Sequence, residues 1–390
     1  FIIIFTELSD RLGSIPGSSV GLTLAVAALQ TPIIVQQSVP FVALISAIAT
    51  LVALNRKYEL VVTRAAGISA WQFLFPMCAA AFVLGLGSPD EIRLSMTSQN
   101  TQLVSASGDG ALVRNVTLLK GFGVHPFQGG TLYASNGARI ENCRIFDGDC
   151  GRGRAGGCLY VEGDATIVSN CVIGNVSVGT DGQASNNPIH YGLGLYLKGG
   201  LVTHCVITNV QTHGIHRAAR HAQGVAVQIA GGTLRNCLVA HNLATDGQEG
   251  SDRQFAAGIY QTGGTVENCT VTDNSAQSGP AGYCRANGGT MVNGIVWGNA
   301  NDDGDGAFAD ADVSGDMAAA LSHSCTNNPL FKAPAGGDFR LTPDSPCANA
   351  GLALPWITRE ATDLAGSRRL VGRAVDLGCH EIALFPTVVT

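Results

Sequence analysis

The chain has 390 residues, enough for two or three domains, and a formal net charge of −6. Residues 1–90 hold four basic and four acidic residues and balance, so residues 91–390 carry the whole charge and 44 of the 50 glycines. A mildly acidic, glycine-rich segment lacks the basic surface that phosphate binding needs, which excludes a nucleic-acid partner.

The composition breaks near Ser88-Pro89-Asp90. Before the break, no charged residue occurs from Leu12 through Asn55. Within that span Pro32 to Leu54 is apolar apart from Gln36, Gln37, Ser38, Ser46 and Thr50, and its 23 residues suffice to cross a bilayer as a helix. Pro32 and Pro40 are tolerated in membrane helices. A second charge-free stretch runs from Ala65 to Pro89, apolar from Ile68 to Leu86. Arg56, Lys57 and Arg64 lie in the connection, which the positive-inside rule places in the cytoplasm. A buried helical hairpin of a soluble protein is the alternative. The opening Phe1-Ile2-Ile3-Ile4-Phe5 reads as the tail of a hydrophobic helix already under way, so the chain is expected to lack its true N-terminus.

The run Leu54-Asn55-Arg56-Lys57-Tyr58-Glu59-Leu60-Val61-Val62-Thr63-Arg64-Ala65-Ala66-Gly67-Ile68-Ser69-Ala70-Trp71 resembles the signature of the lipopolysaccharide-export permeases of the LptF/LptG type. Ser38-Val39-Pro40-Phe41-Val42-Ala43-Leu44 resembles their second membrane helix. The resemblance covers residues 1–87 and implies a cytoplasmic coupling helix that docks on a transport ATPase at loop 55–70. Glu59, Arg64 and Gly67 would belong to that contact. A short helix can stop at Gly67 in the left-handed conformation, and Glu59 offers a charge to a partner's Arg or Lys. Topology-setting charge at a cytoplasmic loop is the alternative reading. The permeases have six membrane helices and a different periplasmic β-fold; parts of only three helices are visible here.

After the break the sequence repeats. Ala138-Arg-Ile-Glu-Asn-Cys143, Thr166-Ile-Val-Ser-Asn-Cys171, Leu201-Val-Thr-His-Cys205, Thr233-Leu-Arg-Asn-Cys237, Thr265-Val-Glu-Asn-Cys269 and Thr290-Met-Val-Asn-Gly294 align, with a weaker copy at Leu112-Val-Arg-Asn-Val116. The cysteine-equivalent positions are 27, 28, 34, 32, 32 and 25 residues apart. Such a period predicts a solenoid, and short strands of period 2 make it a right-handed parallel β-helix. Gly-Gly pairs at 199–200, 231–232, 263–264 and 288–289 supply sharp corners. Asn175, Asn209, Asn242, Asn274 and Asn299 close the strands; Asn tolerates left-handed turns and can bond along a stack as a ladder. The varying intervals mean that loops of different length leave at one corner.

Cys143, Cys171, Cys205, Cys237 and Cys269 are expected to stack at one inward position, where a small thiol suits a thin core. Metal binding is the weaker reading, because no Cys-x-x-Cys or zinc-spaced Cys/His pair exists. Cys325 and Cys347 flank the tail and could pair in an oxidising compartment.

The tail carries a second resemblance. Asn328-Pro329-Leu330-Phe331, Gly337-Asp338-Phe339-Arg340-Leu341, Ser345-Pro346-Cys347, Asp363-Leu364-Ala365-Gly366-Ser367-Arg368-Arg369 and Val375-Asp376-Leu377-Gly378-Cys379-His380-Glu381 look like the end of bacterial choice-of-anchor Q surface β-helix proteins. The resemblance spans about residues 110–383 and implies a pectate-lyase-like, secreted or surface-held fold, mostly without demonstrated activity.

Polysaccharide lyases and hydrolases of this architecture place carboxylates, Ca²⁺ and a basic residue on one face. His213, His216, Arg217, Arg220 and His221 form the richest cluster, where an Arg or His could abstract a proton beside a uronic-acid carboxylate; a solvated loop is the plainer reading. Asp310, Asp312 and Asp316 imitate the start of a calcium loop, but Leu321 stands where the bidentate Glu belongs. Asp147 and Asp149 around Gly148 read as paired carboxylates or as ordinary turn chemistry. No cofactor is expected.

The fold class expected is mainly β: a right-handed parallel β-helix solenoid at 91–325 with a cap or tail at 326–390, preceded by an α-helical transmembrane segment at 1–87. The expected setting is the bacterial cell envelope, with the helices in the inner membrane and the β-helix on the extracytoplasmic side. The expected role is a non-catalytic surface or glycan-binding module. A polysaccharide lyase or hydrolase, and a lipopolysaccharide transport permease component, are the alternatives; an artificial join of two genes also fits the abrupt change of composition.

Overall fold

The computed structural model describes residues 93–95, 102–121, 129–149, 155–179, 189–215, 221–246, 256–276, 280–301, 312–315 and 321–382. The chain divides at Pro89/Asp90 into two units, and every described residue belongs to the second. The permease-like helices expected at 1–87 lie outside the described residues. Among the described residues, no helix is long and apolar enough to cross a membrane.

The second unit is a parallel β-helix. One coil consists of Leu195–Leu197 in sheet 1, Leu201–Thr203 in sheet 2 and Val206–Ile215 in sheet 3. The next places Val227–Ile229, Thr233–Arg235 and Leu238–Ala240 beside them, parallel and in register. Sheets 1 and 2 each stack eight strands; sheet 3 runs from Arg93–Ser95 to Ile295–Trp297 and gains short extensions such as Leu243–Asp246. Most strands are three residues long, and a left-handed corner residue follows each sheet 2 strand from Leu112–Arg114 to Thr290–Val292.

Two corners explain the repeat. Between sheets 2 and 3, the residue before each repeat cysteine is left-handed: Asn142, Asn170, His204, Asn236 and Asn268 have φ near +50°. Asn adopts that conformation at less cost than other side chains. Between sheets 1 and 2, the second glycine of each Gly-Gly pair has positive φ, +82° at Gly200 and +72° at Gly232. The variation in repeat length falls in the connection from sheet 3 to the next sheet 1.

The inward residues form one continuous apolar core, including Leu159, Val168, Ile173, Leu195, Val202, Ile207, Leu234 and Val239. Each fully buried Leu, Ile or Val contributes about 1.5–3 kcal/mol of hydrophobic stabilisation.

The repeat cysteines occupy one inward column and are essentially inaccessible. They also bond along the stack. The N–H of Cys143 donates to Cys171 Sγ, Cys171 to Cys205, Cys205 to Cys237, and Cys237 to Cys269, each at 3.4 Å. Each thiol donates to the carbonyl two residues earlier, as Cys237 does to Arg235 at 3.0 Å. The column thus satisfies corner amides as well as filling space, a role that packing alone does not capture. Ser324 continues the pattern: Gly294 N–H donates to its Oγ at 3.0 Å, and that Oγ donates to Ser322 O at 3.0 Å.

The strand-closing asparagines separate into two rows. Asn175 and Asn209 take the left-handed turn itself and bond side chain to side chain at 2.8 Å. Asn242, Asn274 and Asn299 sit one residue later and point inward, while His241, Asp273 and Gly298 take the turn. Asn242 donates to Asn274 Oδ1 through its N–H (3.2 Å) and Nδ2 (2.8 Å), and Asn274 to Asn299 likewise at 3.1 and 2.8 Å. The remaining Nδ2 hydrogen of Asn274 is shared between Val239 O at 3.0 Å and Thr272 O at 3.1 Å. Asp312 Oδ1 ends the ladder, accepting from Asn299 N–H at 2.8 Å and Nδ2 at 2.7 Å.

Removing a ladder member strands buried donors and acceptors, each worth about 1–3 kcal/mol. Asn274→Ala is expected to destabilise the β-helix by on the order of 3 kcal/mol in urea unfolding. Cys237→Ala, which leaves the Cys205 amide unpaired, should cost more than Cys237→Ser, which keeps an acceptor; equal midpoints for the two would contradict the amide-bonding role.

Candidate functional site

Register determines what the outside of sheet 1 displays. Leu159 and Val161 point inward, so Tyr160 between them points out. Strand pairing then aligns Tyr133, Tyr160, Tyr196, Gln228, Tyr260 and Cys284 in one outward column. The rings stack: Tyr133 to Tyr160 at 5.6 Å and Tyr160 to Tyr196 at 5.0 Å between centroids, with Tyr191 edge-on to Tyr196 at 6.4 Å. Stacking uses the ring faces; Tyr133 and Tyr196 keep partial exposure, whereas Tyr160, Tyr260 and Cys284 are buried.

Glu162 lies beside the column. It accepts a hydrogen bond from the Tyr133 hydroxyl and pairs with Lys198 Nζ at 3.1 Å. Burial works against its charge, but the bonds from Tyr133 and Lys198 outweigh it and hold the carboxyl below its usual range. Burial and the Glu162 bond push the Tyr133 phenol up. Glu162 is therefore a settled carboxylate and the phenol a settled donor, and neither is poised near neutrality as an acid–base catalyst must be. In the same column, Gln228 is 4% exposed and its Oε1 has no hydrogen-bond partner among the described residues. Buried unpaired acceptors are uncommon and mark a place where a donor is missing.

A second built surface lies at the corner of left-handed asparagines. The segment after the last coil runs back along this corner and docks on its side chains in turn. His204 Nε2 lies 3.0 Å from Thr362 O, and Asn236 Nδ2 donates to the same carbonyl at 3.0 Å. Asn268 donates to Asp376 O at 3.3 Å, and Asn293 exchanges two bonds with Leu352 at 2.8 and 2.7 Å. Arg235 covers the Trp356 ring at 4.5 Å. The buried Arg369 guanidinium reaches Asn236 Oδ1 (2.5 Å), Gly378 O (2.9 Å) and Glu381 Oε2 (3.3 Å). Asp363 accepts from Ala365, Ser367 and Glu381 amides, and Asp376 from those of Asn349 and Ile382. The tail motifs thus fold the segment onto the solenoid.

The residues expected to carry chemistry are distributed as follows. His213 belongs to Val206–Ile215, opposite Gly179, and His221 opens His221–Gln223, opposite Ile189. His216, Arg217 and Arg220 lie outside the described residues, as do the side chains of His213 and His221. Asp310 and Asp316 also lie outside them. Asp312 has its Oδ1 committed to the asparagine ladder, and burial, set against the Asn299 bonds, pushes its carboxyl up. Asp147 takes the left-handed turn position, φ +55°, equivalent to Asn175. Among the described residues, no three His, Cys, Asp or Glu side chains converge as a metal site. Glu59, Arg64 and Gly67 lie outside the described residues.

Residues 1–88 match the family model of the lipopolysaccharide export system permease LptF/LptG. The match covers the apolar unit and stops where the composition changes. LptF/LptG permeases are membrane proteins that work with an ATPase complex, and the family points to an inner-membrane setting. The β-helix begins directly after the LptF/LptG match. No curated protein and no solved structure matches the chain.

The tyrosine column was open to sequence reasoning: in Leu132-Tyr133, Leu159-Tyr160, Leu195-Tyr196 and Ile259-Tyr260 an aliphatic residue precedes the tyrosine, which stands 10, 11, 9 and 9 residues before the repeat cysteine. The tail contacts had no such signal, because they join positions 59 to 158 residues apart.

Burial, followed by the nearby Asp376 carboxylate, raises Glu381 to about 8 against the pull of Arg369, and burial also raises Asp376. A carboxyl raised on folding contributes stability that is complete below its unfolded value and lost as pH rises through the folded one. Docking of residues 352–382 is therefore expected to loosen as pH rises from about 5 through 8, read by hydrogen exchange of that segment. Glu381→Gln should flatten the profile across that window; an unchanged profile would remove Glu381 from this role.

Proposed function

We propose that the β-helix is a non-catalytic binding module for a polyhydroxylated ligand, a glycan of the cell envelope, carried on a partial LptF/LptG-type membrane anchor. The observation that carries this is the outward column of sheet 1, in which the unpaired Gln228 acceptor lies between Tyr196 and Tyr260. Beside this buried acceptor, the half-exposed Tyr133, Glu162 and Tyr196 offer ring surface and a carboxylate acceptor to sugar hydroxyls along one line. The asparagine ladder and the cysteine column are taken up by bonds to neighbouring coils, and no described acid or base beside the tyrosine column is poised near neutrality, which favours a surface role over catalysis. Right-handed winding is the sense expected of parallel crossovers. Resemblance of the tail motifs to choice-of-anchor Q proteins supports a surface setting, with the β-helix on the extracytoplasmic side.

On the cytoplasmic side, we assign Glu59, Arg64 and Gly67 to contact with a transport ATPase, following the order and spacing of the LptF/LptG signature. If that holds, the full chain co-purifies with an ATPase from membranes and Glu59→Lys weakens the association several-fold. Co-purification that is indifferent to the substitution sinks the contact.

The binding reading is tested with the full chain in detergent, titrated with lipopolysaccharide and with neutral and acidic polysaccharides. Tyr196→Ala is expected to weaken binding about tenfold. Gln228→Leu removes a buried unsatisfied acceptor, so it should leave thermal stability equal or higher while lowering affinity. No binding across the panel by the folded chain overturns the reading, and absorbance from unsaturated products would replace it with a lyase.

A further inference from the structure

The described cysteines are all free thiols, and their surroundings differ. In the repeat column, neighbours sit side by side on parallel strands about 4.8 Å apart, wider than the roughly 3.8 Å Cβ separation of a disulfide. Each thiol from Cys171 to Cys269 also accepts the amide of the preceding cysteine. Cys325 and Cys347 lie on segments that are not paired with one another, so no ladder holds their Cβ atoms parallel.

Both backbones are fixed. Cys325 bridges Ile295 in the last coil, its N–H bonded to Gly294 O at 2.9 Å and its carbonyl accepting from Val296 N–H at 2.9 Å. The amide of Cys347 reaches Ser345 Oγ at 3.1 Å, and its carbonyl accepts from Leu377 at 2.9 Å. The two side chains pack in one apolar cluster with Phe331, Phe339 and Leu377, near enough for each to perturb the other, and Cys325 Sγ donates to Asn327 O at 3.2 Å. Cys347 is fully buried, whereas Cys325 is partly exposed.

We propose that Cys325 and Cys347 are a disulfide-forming pair that covalently fastens the tail to the last coil of the β-helix. The co-reactant is a small or protein disulfide. The Cys325 thiolate attacks one of its sulfurs, forming a mixed disulfide and releasing one thiolate. Cys347 then loses its proton and attacks Cys325 Sγ, releasing the second thiolate. The two cysteines give up two electrons and two protons, and the donor disulfide is reduced to two thiols. Access favours this order, because Cys325 is the thiol that a donor can reach. The neighbouring Cys347 thiol, outweighing burial, lowers Cys325 to about 6, which keeps thiolate present at neutral pH. Because Cys347 precedes the Asp363–Glu381 motifs, the bond would hold the start of the docked segment whatever the charge state further along.

The test uses the full chain in detergent, incubated with oxidised glutathione at neutral pH and then alkylated without reduction. Peptide mapping is expected to show one species joining Cys325 to Cys347, with Cys143, Cys171, Cys205, Cys237 and Cys269 alkylated only after denaturation. The oxidised chain should unfold at a higher temperature, and dithiothreitol should abolish the shift. Cys325→Ser should remove both the species and the shift. Stable glutathione on Cys325 with Cys347 still free, or a cross-link to any other cysteine, overturns the proposal. So does the absence of reaction at both residues in the folded chain. The wild-type map decides the matter even where a variant misfolds. It is also independent of the glycan reading, which stands or falls on sheet 1.

Discussion

In-register parallel stacking is the constraint on which everything else here depends. A residue in one coil sits about 4.8 Å from its equivalent in the next, so each position must tolerate, and preferably satisfy, a copy of itself. Residues that both donate and accept meet that demand. The thiol of Cys205 accepts one amide and donates to Thr203 O. The amide of Asn274 does the same with more partners. Aromatic rings meet it by stacking, as at Tyr160. Charged residues do so only by alternating, as with Arg114, Glu141 and Arg139, or Arg235 and Glu267.

Where a row of equivalents ends, the chain supplies a terminator. The asparagine ladder ends on the Asp312 carboxylate, which accepts but has no neighbour to donate to. The cysteine column skips Gly294, and Met291 lies where a side chain there would project. In the outward row of sheet 1, Gln228 interrupts the tyrosines and keeps an unpaired acceptor, as Asn301 does at the end of the sheet 3 extension. Conflict between local satisfaction and stacking is the pattern expected of a binding position.

Much of the coil was legible because the period writes itself into the sequence. The Asn-Cys step, the Gly-Gly corners and the corner from which loops leave all follow from repeat phase and turn chemistry. The two asparagine rows were not separable that way. Asn175 and Asn242 both close strands, yet one residue of phase puts the first in the left-handed turn and the second in the core. Ser324 escaped notice because a hydroxyl does the thiol's work there without the cysteine that marks the step. The tail motifs were recognisable as a series, but their purpose depends on Arg369 reaching Asn236 and Asp376 reaching Asn268, pairings that no local rule predicts.

The tail meets four successive corner residues: Thr362 bonds both His204 and Asn236, Asp376 bonds Asn268, and Leu352 bonds Asn293. On earlier coils the same corner residues, Asn115, Asn142 and Asn170, are exposed. The tail therefore works as a ruler of fixed length laid against the later coils. Gain or loss of a whole coil by gene duplication or deletion disturbs no tail contact of the described residues ahead of His204. Between His204 and Asn293 the same event would put each tail contact out of step, so growth of this solenoid in evolution is confined to its N-terminal side.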